Sequence, residues 1–360
     1  MRKVSKASLD WARRAIRSDR ARRSRQAGVR RSRRYRKQRY RKFSSIRLRL
    51  PSIISLSEGE FRSQVIQFIR KMKDRVASPE VSNVIIDFSR ITMLHPCGTL
   101  LFVAELERLF ESPFAQKKLS AIYPVDRNVE QMFQHIKLLE RLGLPPRISE
   151  INASNVLPWL YASGHEGDLD SIAEKLPKIL TEGGNMEIRL ALMSGMAEAV
   201  ANSSEHAYLK QSKTPVPGSV PLKWWLFARQ SGDDVSVVIC DLGLGIPGTL
   251  EANWREELGS LLKTRSGLKR KDHKMIELAL TVGKTSTNKV NRGKGLKDIL
   301  KVVRDKKVGE ICIFSNRGVY SLDSPNDSLV SRDERNSING TIVQWKIPIE
   351  ALGFEVSERL

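Results

Sequence analysis

The sequence has no uninterrupted apolar run of the roughly 18 residues that a membrane-spanning helix needs. Its N-terminus lacks the apolar stretch of a secretory signal. Cysteine is scarce: Cys97, Cys240 and Cys312 are far apart, and each lies in an apolar, strand-like run. This spacing excludes a disulfide framework and a zinc site, and it predicts reduced core residues in a cytosolic protein.

Acidic residues are nearly absent from the first 50 positions, where only Asp10 and Asp19 occur. The same stretch holds 21 of the 62 Lys and Arg residues, so it carries most of the formal net charge of +22. Because it has too few apolar residues to offset ordering entropy, we expect residues 1–45 to form a disordered basic arm. Such an arm binds RNA or DNA phosphates in a salt-dependent way, or it is a solvated tail or partner-docking segment. No base-reading motif accompanies it, so no sequence specificity is predicted.

The rest of the chain is long enough for two compact regions, each with its own core. Residues 46–148 alternate strand and helix patterns, which predicts an α/β domain with a mainly parallel sheet. Residues 149–185 are interpreted as a linker with an amphipathic helix, 186–350 as the second domain, and 351–360 as a tail. In the first domain, strands are predicted at 46–50, 84–88 and 119–123, and helices at 61–72, 100–110 and 129–142.

One stretch of the first domain is similar to a known family. Val84-Ile-Ile-Asp-Phe-Ser-Arg-Ile-Thr-Met-Leu94, followed by a glycine-containing turn and an apolar helix, resembles a STAS domain, the fold of anti-sigma-factor antagonists. In that family the turn commonly carries a phosphorylated serine, whereas this chain has His95-Pro-Cys-Gly98. Proline cannot accept a phosphate and Thr99 is a poor substitute, so the resemblance implies the fold without the usual phosphoswitch. His95 and Cys97 are interpreted as packing or turn residues.

The second domain is organised around Asp241-Leu-Gly-Leu-Gly-Ile-Pro247, which follows the buried-strand pattern at 235–240. A carboxylate leaves the end of the strand, and two glycines permit a turn and the close approach of a ligand. Upstream, Glu198 and Asn202 are four residues apart in a helical pattern, so they share one helix face. Downstream, Asn291-Arg-Gly-Lys-Gly-Leu296 opens another helix, where glycine-rich backbone directs N–H groups at an anion.

In this order the segments resemble the GHKL, or Bergerat, ATP-binding domain shared by gyrase-type ATPases, Hsp90, histidine kinases and MutL. The resemblance implies an α/β sandwich with a mixed, mostly antiparallel sheet that binds ATP and Mg²⁺. It implies that Asn202 ligates Mg²⁺, that Glu198 is the catalytic residue polarising water or a hydroxyl, and that Asp241 accepts a hydrogen bond from adenine. The other residues it places at the nucleotide are Gly243, Gly245, Ile246, Ser286, Thr287, Gly293, Lys294, Gly295, Leu296 and Thr341.

Two polar stretches of the second domain are predicted to lack regular structure. Residues 248–290 are long and basic, which matches a mobile lid over the nucleotide. Residues 324–339 are polar and are interpreted as a mobile excursion before a last strand at 340–348. A strand hairpin is predicted around 231–234 and a second one around 316–318.

These patterns predict a cytosolic regulator of bacterial type that binds Mg-ATP. The first hypothesis is a slow ATPase whose nucleotide state controls a regulatory protein partner that the sequence does not identify. The alternatives are a serine/threonine kinase of the anti-sigma-factor type and a nucleic-acid-associated module that senses ATP without turnover. Glu198 favours the first two, and no phosphoacceptor histidine on a dimerisation hairpin is evident. A homodimer is left open, and no membrane partner is predicted.

Overall fold

The computed structural model describes residues 44–148, 160–165, 176, 180, 184–205, 207–208, 223–253, 271–282 and 295–354. Most of the basic arm and of the linker therefore lies outside the described residues. Contacts divide the chain into two units, one combining Met1–Ser45 with Ser78–Ser82 and the other combining Ile46–Ala77 with Asn83–Leu360. In the described part of the first unit, the Ser44 N–H donates to the Glu80 carbonyl oxygen at 3.2 Å. The second unit contains residues of both predicted globular regions.

The N-terminal region alternates strands and helices. Strands β3 and β5 pair in parallel within a sheet of order β1-β3-β5, and β2 and β4 form a separate parallel pair. This pairing confirms the predicted parallel arrangement of the second and third strands. The elements are β1 Ser44–Arg49, β2 Ile53–Ile54, α1 Gly59–Ala77, β3 Val81–Asp87, β4 Met93–Leu94, α2 Pro96–Phe110, α3 Pro113–Lys117, β5 Leu119–Ile122, α4 Arg127–His135 and α5 Leu138–Arg141.

The helix predicted over 129–142 is wrong as a single element, because the chain forms α4 and α5 instead. Lys137 separates them with a φ of 54°, in the left-handed region that a continuous helix cannot contain. The predicted stop after 142 is confirmed by Gly143, whose φ is 78° and whose N–H donates to the Glu140 carbonyl oxygen at 3.0 Å.

The C-terminal region is built on a seven-stranded sheet of order β11-β10-β9-β12-β8-β7-β6. Every adjacent pair in it is antiparallel, which confirms a mixed α/β chain with a mostly antiparallel sheet. No helix in the described residues has both the length and the apolar character to cross a membrane. The elements are β6 Leu160–Gly164, α6 Met186–Glu205, β7 Trp224–Ser231, β8 Asp234–Asp241, α7 Gly245–Asn253, α8 Asp272–Val282, α9 Gly295–Arg304, β9 Glu310–Ser315, β10 Gly318–Asp323, β11 Ser328–Asp333 and β12 Thr341–Pro348.

One face of this sheet carries the apolar core of the region. Side chains alternate along each strand, so every second residue points to the same face. Helices α6, α8 and α9 cover that face with residues at helical spacing. The core includes Leu226, Val237, Ile239, Ile313, Val343 and Trp345 from the strands, Leu192, Met196 and Val200 from α6, Ile276 and Leu280 from α8, and Ile299 and Val303 from α9.

Helix α2 of the N-terminal region packs on the opposite face, against β7, β8 and β12. Its contacts include buried polar groups: the Cys97 thiol lies 2.6 Å from Oε1 of Gln344, and the Trp225 indole N–H donates to Glu107 Oε2 at 2.8 Å. Within the second unit, the sheet therefore has α6, α8 and α9 on one face and α2 on the other.

Three expectations about polar segments are wrong. Residues 324–339 contain the edge strand β11, which pairs along its length with β10. Part of the predicted linker forms the opposite edge strand, β6. Within the predicted lid, α7 and α8 are helices, and α8 is packed into the core because Met275, Ile276, Ala279 and Leu280 recur on one helix face.

Candidate functional site

Helix α6 brings the predicted magnesium ligand and catalytic residue into direct contact. Oδ1 of Asn185 caps the helix by accepting from the N–H groups of Glu187 and Ile188, at 3.2 and 3.3 Å. One turn apart on a half-buried face, Nδ2 of Asn202 donates to Oε1 of Glu198 at 3.0 Å. This contact confirms that the two side chains share a face. Because Nδ2 donates to Glu198, the side-chain oxygen Oδ1 of Asn202 is the atom that is able to bind a cation.

Asp241 ends β8 and is buried, with an exposed fraction of 5%. Its Oδ1 accepts the Gly243 N–H at 2.8 Å, which closes the first turn of the segment 241–246. Burial raises the pKa of Asp241 to about 6, although hydrogen bonds from Gly243, Thr341 and Ser203 act in the opposite direction. Residue 341 opens β12 directly opposite Asp241, and Ser203 comes from α6. Three separate elements thus meet at one buried carboxylate.

The two glycines of the 241–246 turn serve the packing of the protein itself. A Cβ on Gly243 would lie 2.2 Å from the Ala207 carbonyl oxygen, closer than any atoms can pack. Gly245 has a φ of +72°, and a Cβ there would meet the Asn316 side chain at 2.7 Å. Packing within the protein therefore requires glycine at both positions, and their predicted closeness to a nucleotide base stays a prediction.

The 241–246 turn is also held by polar groups that sequence reasoning did not select. The Ile246 N–H donates to Ser315 Oγ at 2.8 Å, and that hydroxyl lies 3.1 Å from Thr341 Oγ1. The hydroxyl of Tyr208 accepts from the Leu242 N–H at 3.2 Å. Ser315 ends β9, and only its pairing with residue 341 in the sheet brings it to the site, so no local pattern could have indicated it.

Helices α6 and α9 run antiparallel, and two contacts fix their register. Near the start of α6, Glu187 forms an ion pair with Lys306, just beyond the end of α9. Two turns further along α6, a Cβ on Gly195 would lie 3.0 Å from the carbonyl oxygen of Asp298. Because both helices rise 1.5 Å per residue, the same register places Gly295, the first residue of α9, level with Glu198.

The structure thus joins Glu198 with Asn202 and Asp241 with Thr341, links the two pairs through Ser203 of α6, and sets the first residues of α9 level with Glu198. The predicted Gly243, Gly245 and Ile246 lie in the 241–246 turn. The α9 residues are Gly295 and Leu296, whose backbone starts the helix as predicted. The remaining predicted residues, Ser286, Thr287, Gly293 and Lys294, lie outside the described residues. Among the described residues, no group of three or more His, Cys, Asp or Glu side chains could hold a metal ion.

In the turn at His95–Gly98 of the N-terminal region, His95 and Pro96 are half-buried, whereas Cys97 and Gly98 are buried. Thr99 is fully buried, and its hydroxyl donates to the His95 carbonyl oxygen at 2.8 Å. Cys97 is buried against Gln344, and burial raises the pKa of its thiol well above the ordinary value. These contacts agree with the interpretation of the turn as a packing element.

The chain was compared with models of protein families and with curated proteins, and neither comparison gave a match.

Proposed function

We propose that this protein is an Mg-ATP-binding regulator whose C-terminal region is a GHKL-type nucleotide-binding domain and whose N-terminal region is a STAS-like domain. Four segments support the proposal: the Glu198 and Asn202 face of α6, the 241–246 turn, the start of β12 and the N-terminus of α9. Each supplies a group suited to a different part of ATP.

The buried carboxylate of Asp241 carries the proposal. A pKa raised from 3.8 to about 6 means that ionised Asp241 costs the fold about 3 kcal/mol at neutral pH. A core position that served stability alone would be apolar, since a buried charge without a cation partner is unfavourable. An acceptor that is held in place by Gly243 fits the exocyclic amino group of adenine. It would face a carbonyl oxygen in guanine, so adenine is favoured over guanine.

The polar groups at the other end of the site fit a phosphate chain and its magnesium. Mg²⁺ takes oxygen ligands, keeps several waters and needs few protein groups, so one Asn202 carbonyl together with phosphate oxygens suffices. The N-terminus of α9, level with Glu198, presents backbone N–H groups and the positive end of the helix dipole to an anion. Glu198 is then positioned to orient and polarise a water molecule for attack on a terminal phosphate.

Whether ATP or ADP is bound would be transmitted to the rest of the protein through the segments that contact the nucleotide. The 241–246 turn leads directly into α7, and α9 leads into β9, so a ligand held between them biases the position of both helices. We propose slow hydrolysis whose product changes the surface offered to a regulatory protein. A serine/threonine kinase would use the same Glu198, and a module that senses ATP while bound to nucleic acid through residues 1–45 would not need it.

Equilibrium titration tests the binding step. Wild-type protein with Mg²⁺ should bind ATP saturably and GTP at least about tenfold more weakly, because a lost buried hydrogen bond costs on the order of 1–3 kcal/mol. Asp241→Asn should lose the preference for adenine. Asp233→Asn, the same substitution at an exposed position at the other end of the hairpin, should leave binding unchanged. Absence of saturable ATP binding by the wild type would sink the proposal.

The fate of the terminal phosphate separates the three activities. With γ-labelled ATP, a slow ATPase releases labelled phosphate, a kinase labels an added protein, and a sensor does neither. Glu198→Ala should abolish release of labelled phosphate while ATP still binds. Turnover that survives this substitution would show that Glu198 is not the catalytic residue.

A further inference from the structure

Arg62 links the N-terminal region to the proposed nucleotide site. It lies on α1, is completely buried, and its Nη2 donates to the Asn316 carbonyl oxygen at 3.0 Å. Its guanidinium carbon lies 5.3 Å from the centre of the Phe314 ring. Both Phe314 and Asn316 belong to the end of β9 and its turn, more than 250 positions away in sequence.

Asn316 is the point at which this contact reaches the site. Its Nδ2 donates to the Leu244 carbonyl oxygen at 2.9 Å, in the middle of the 241–246 turn. Its backbone N–H donates to the Gly340 carbonyl oxygen at 3.0 Å, next to Thr341. Its carbonyl oxygen also accepts the Ile338 N–H at 3.0 Å. One residue therefore ties Arg62 to both segments that flank Asp241.

The arginine is poorly accommodated as a structural residue. Within the part of the chain that the structure describes, its Nε and Nη1 have no hydrogen-bond partner. Burial lowers the pKa of Arg62 to about 10, so it stays charged at neutral pH. A buried guanidinium in this condition is often replaced by an apolar residue without loss of stability. Docking of α1 alone therefore does not explain why this position holds an arginine, whose burial costs free energy.

A pocket borders the segment that follows the Arg62 contact with the Asn336 carbonyl oxygen. A cavity of about 80 Å³ lies between α1, α2 and the segment 337–339, with Ile66, Leu101 and Ile338 among its lining residues. That segment runs directly into Gly340, where a Cβ would lie 2.1 Å from the Asp241 carbonyl oxygen. A small displacement of 337–340 is therefore passed to Asp241 by direct contact.

We infer that Arg62 is a positioning residue through which the N-terminal region sets the nucleotide affinity of the 241–246 turn. This inference rests on the proposed function, because it assigns a regulator to the same site. With α1 docked, Asn316 holds the turn and the start of β12 in the arrangement that presents Asp241 to adenine. Reciprocity follows: if docking of α1 tightens nucleotide binding, nucleotide binding tightens the docking of α1 by the same factor.

Hydrogen exchange of the full chain tests this inference without assuming that ATP binds. Arg62→Met keeps an unbranched side chain about as far as the position of Nε and removes the rest of the guanidinium with its charge. We expect the amides of 241–246 and 338–342 to exchange at least about 5-fold faster than in wild type, a factor at the lower end of typical coupling. Arg75→Met, an exposed position on the same helix, should match wild type. Unchanged exchange in 241–246 in the Arg62→Met protein would overturn the inference.

A second variant separates positioning from folding. Asn316 has a φ of 51°, which glycine adopts without strain, so Asn316→Gly removes only the bond from Nδ2 to Leu244. It should speed exchange in 241–246 while exchange in α1 stays as in wild type, because the acceptor for Arg62 is a backbone oxygen. If exchange in 241–246 stays at the wild-type rate in this variant, Asn316 does not carry the coupling.

Nucleotide titration supplies the functional arm. Arg62→Met should weaken ATP binding about 5-fold or more while the denaturant midpoint is unchanged or higher, and Arg75→Met should do neither. ATP should slow exchange in α1 of the wild type but not of Arg62→Met. Wild type that fails to bind ATP refutes the proposed function and leaves the exchange result standing. ATP binding that is equal in the wild type and Arg62→Met refutes the inference alone.

Discussion

The two faces of the seven-stranded sheet are covered by different chemistry. On the face under α6 and α9 the strand side chains of the core are apolar, and the Trp345 indole N–H donates to the Ile299 carbonyl oxygen at 2.8 Å. On the face under α2, the buried contacts include Cys97 with Gln344 and Trp225 with Glu107. The second face is also largely apolar, with Phe227, Val238 and Ile342 buried in it, but it adds these directional contacts between two regions of one chain.

The difference has a mechanical consequence. Apolar contact is non-directional, so it holds helices near a sheet without specifying one alignment. Buried hydrogen bonds are directional, and a partner left unpaired costs the desolvation of that group, so they admit one alignment only. These bonds fix the alignment of α2 on the sheet. Under the inference above, the contact of Arg62 with Asn316 then makes the conformation of the 241–246 turn depend on the position of α1.

A large-to-small substitution on the apolar face should cause the largest loss in the free energy of unfolding. Trp345→Ala removes a fully buried ring that packs against Gly195 of α6, and we expect a loss of about 3–5 kcal/mol in the free energy of unfolding. Denaturant unfolding measures this, with Trp345→Phe as the control that keeps most of the buried area and loses mainly the hydrogen bond. Equal losses in the two variants would show that the bond, and not the packing, stabilises this face.

Asp241 ends the inner strand β8, and its ionisation should lower the stability of the protein instead of raising it. Because the folded pKa of Asp241 is raised to about 6, this residue favours the folded state most below pH 3.8, and about 3 kcal/mol of that contribution is lost as the pH rises through 6. Asp241→Asn lacks this loss and should exceed the wild type by up to that amount at pH 8 and by nothing at pH 3.5. Unfolding free energies at the two pH values check it. A variant less stable than wild type at pH 8 would contradict the burial argument.

The interface face should show a smaller, hydrogen-bond-sized effect. Trp225→Phe keeps an aromatic ring on β7 but removes the donor to Glu107, which remains paired with Arg141 and lies 3.7 Å from Lys223. We expect a loss of about 1.5–3 kcal/mol, as for a hydrogen bond to a charged group. Glu107→Gln keeps an acceptor for the indole, so the two variants together separate the bond from the ion pairs. No measurable loss in Trp225→Phe would mean that this face is held by area alone.

Local pattern was enough to predict the elements that form the site. Helix α6, the β7–β8 hairpin, α9 and β12 all have apolar residues at the spacing of their structure, and Asp241 follows directly from a strand end. The edge strands β6 and β11 were missed because each has only one neighbour, and β11 has mostly exposed residues. Exposure on both faces leaves no alternation of apolar and polar residues to recognise.

Contacts between distant segments could not be predicted from local pattern. The three cysteines illustrate this: two of them were read correctly as buried core residues, yet nothing in the sequence indicated that Cys97 lies against Gln344 on β12. The same holds for Ser315 and Asn316, whose roles depend on sheet pairing and on a turn with positive φ. Single-sequence patterns specify which face of an element is buried, but not which element covers it.

Lys346 gives the smallest expected effect and marks where the interface ends. It lies on the α2 side of β12, two residues beyond Gln344, with its side chain 42% exposed beside Asp234 and Glu310 at 3.2 and 3.5 Å. Although burial acts against it, these carboxylates raise the pKa of Lys346, so its stabilising contribution is complete below pH 10.5 and is lost above that value. Solvent screening limits the contribution, and Lys346→Ala should lower the free energy of unfolding by 0 to about 1 kcal/mol. The loss should shrink further in 1 M salt.

A loss that is larger than this and insensitive to salt would mean that Lys346 is part of the fixed interface under α2. That interface would then extend along β12 beyond Gln344 to include position 346.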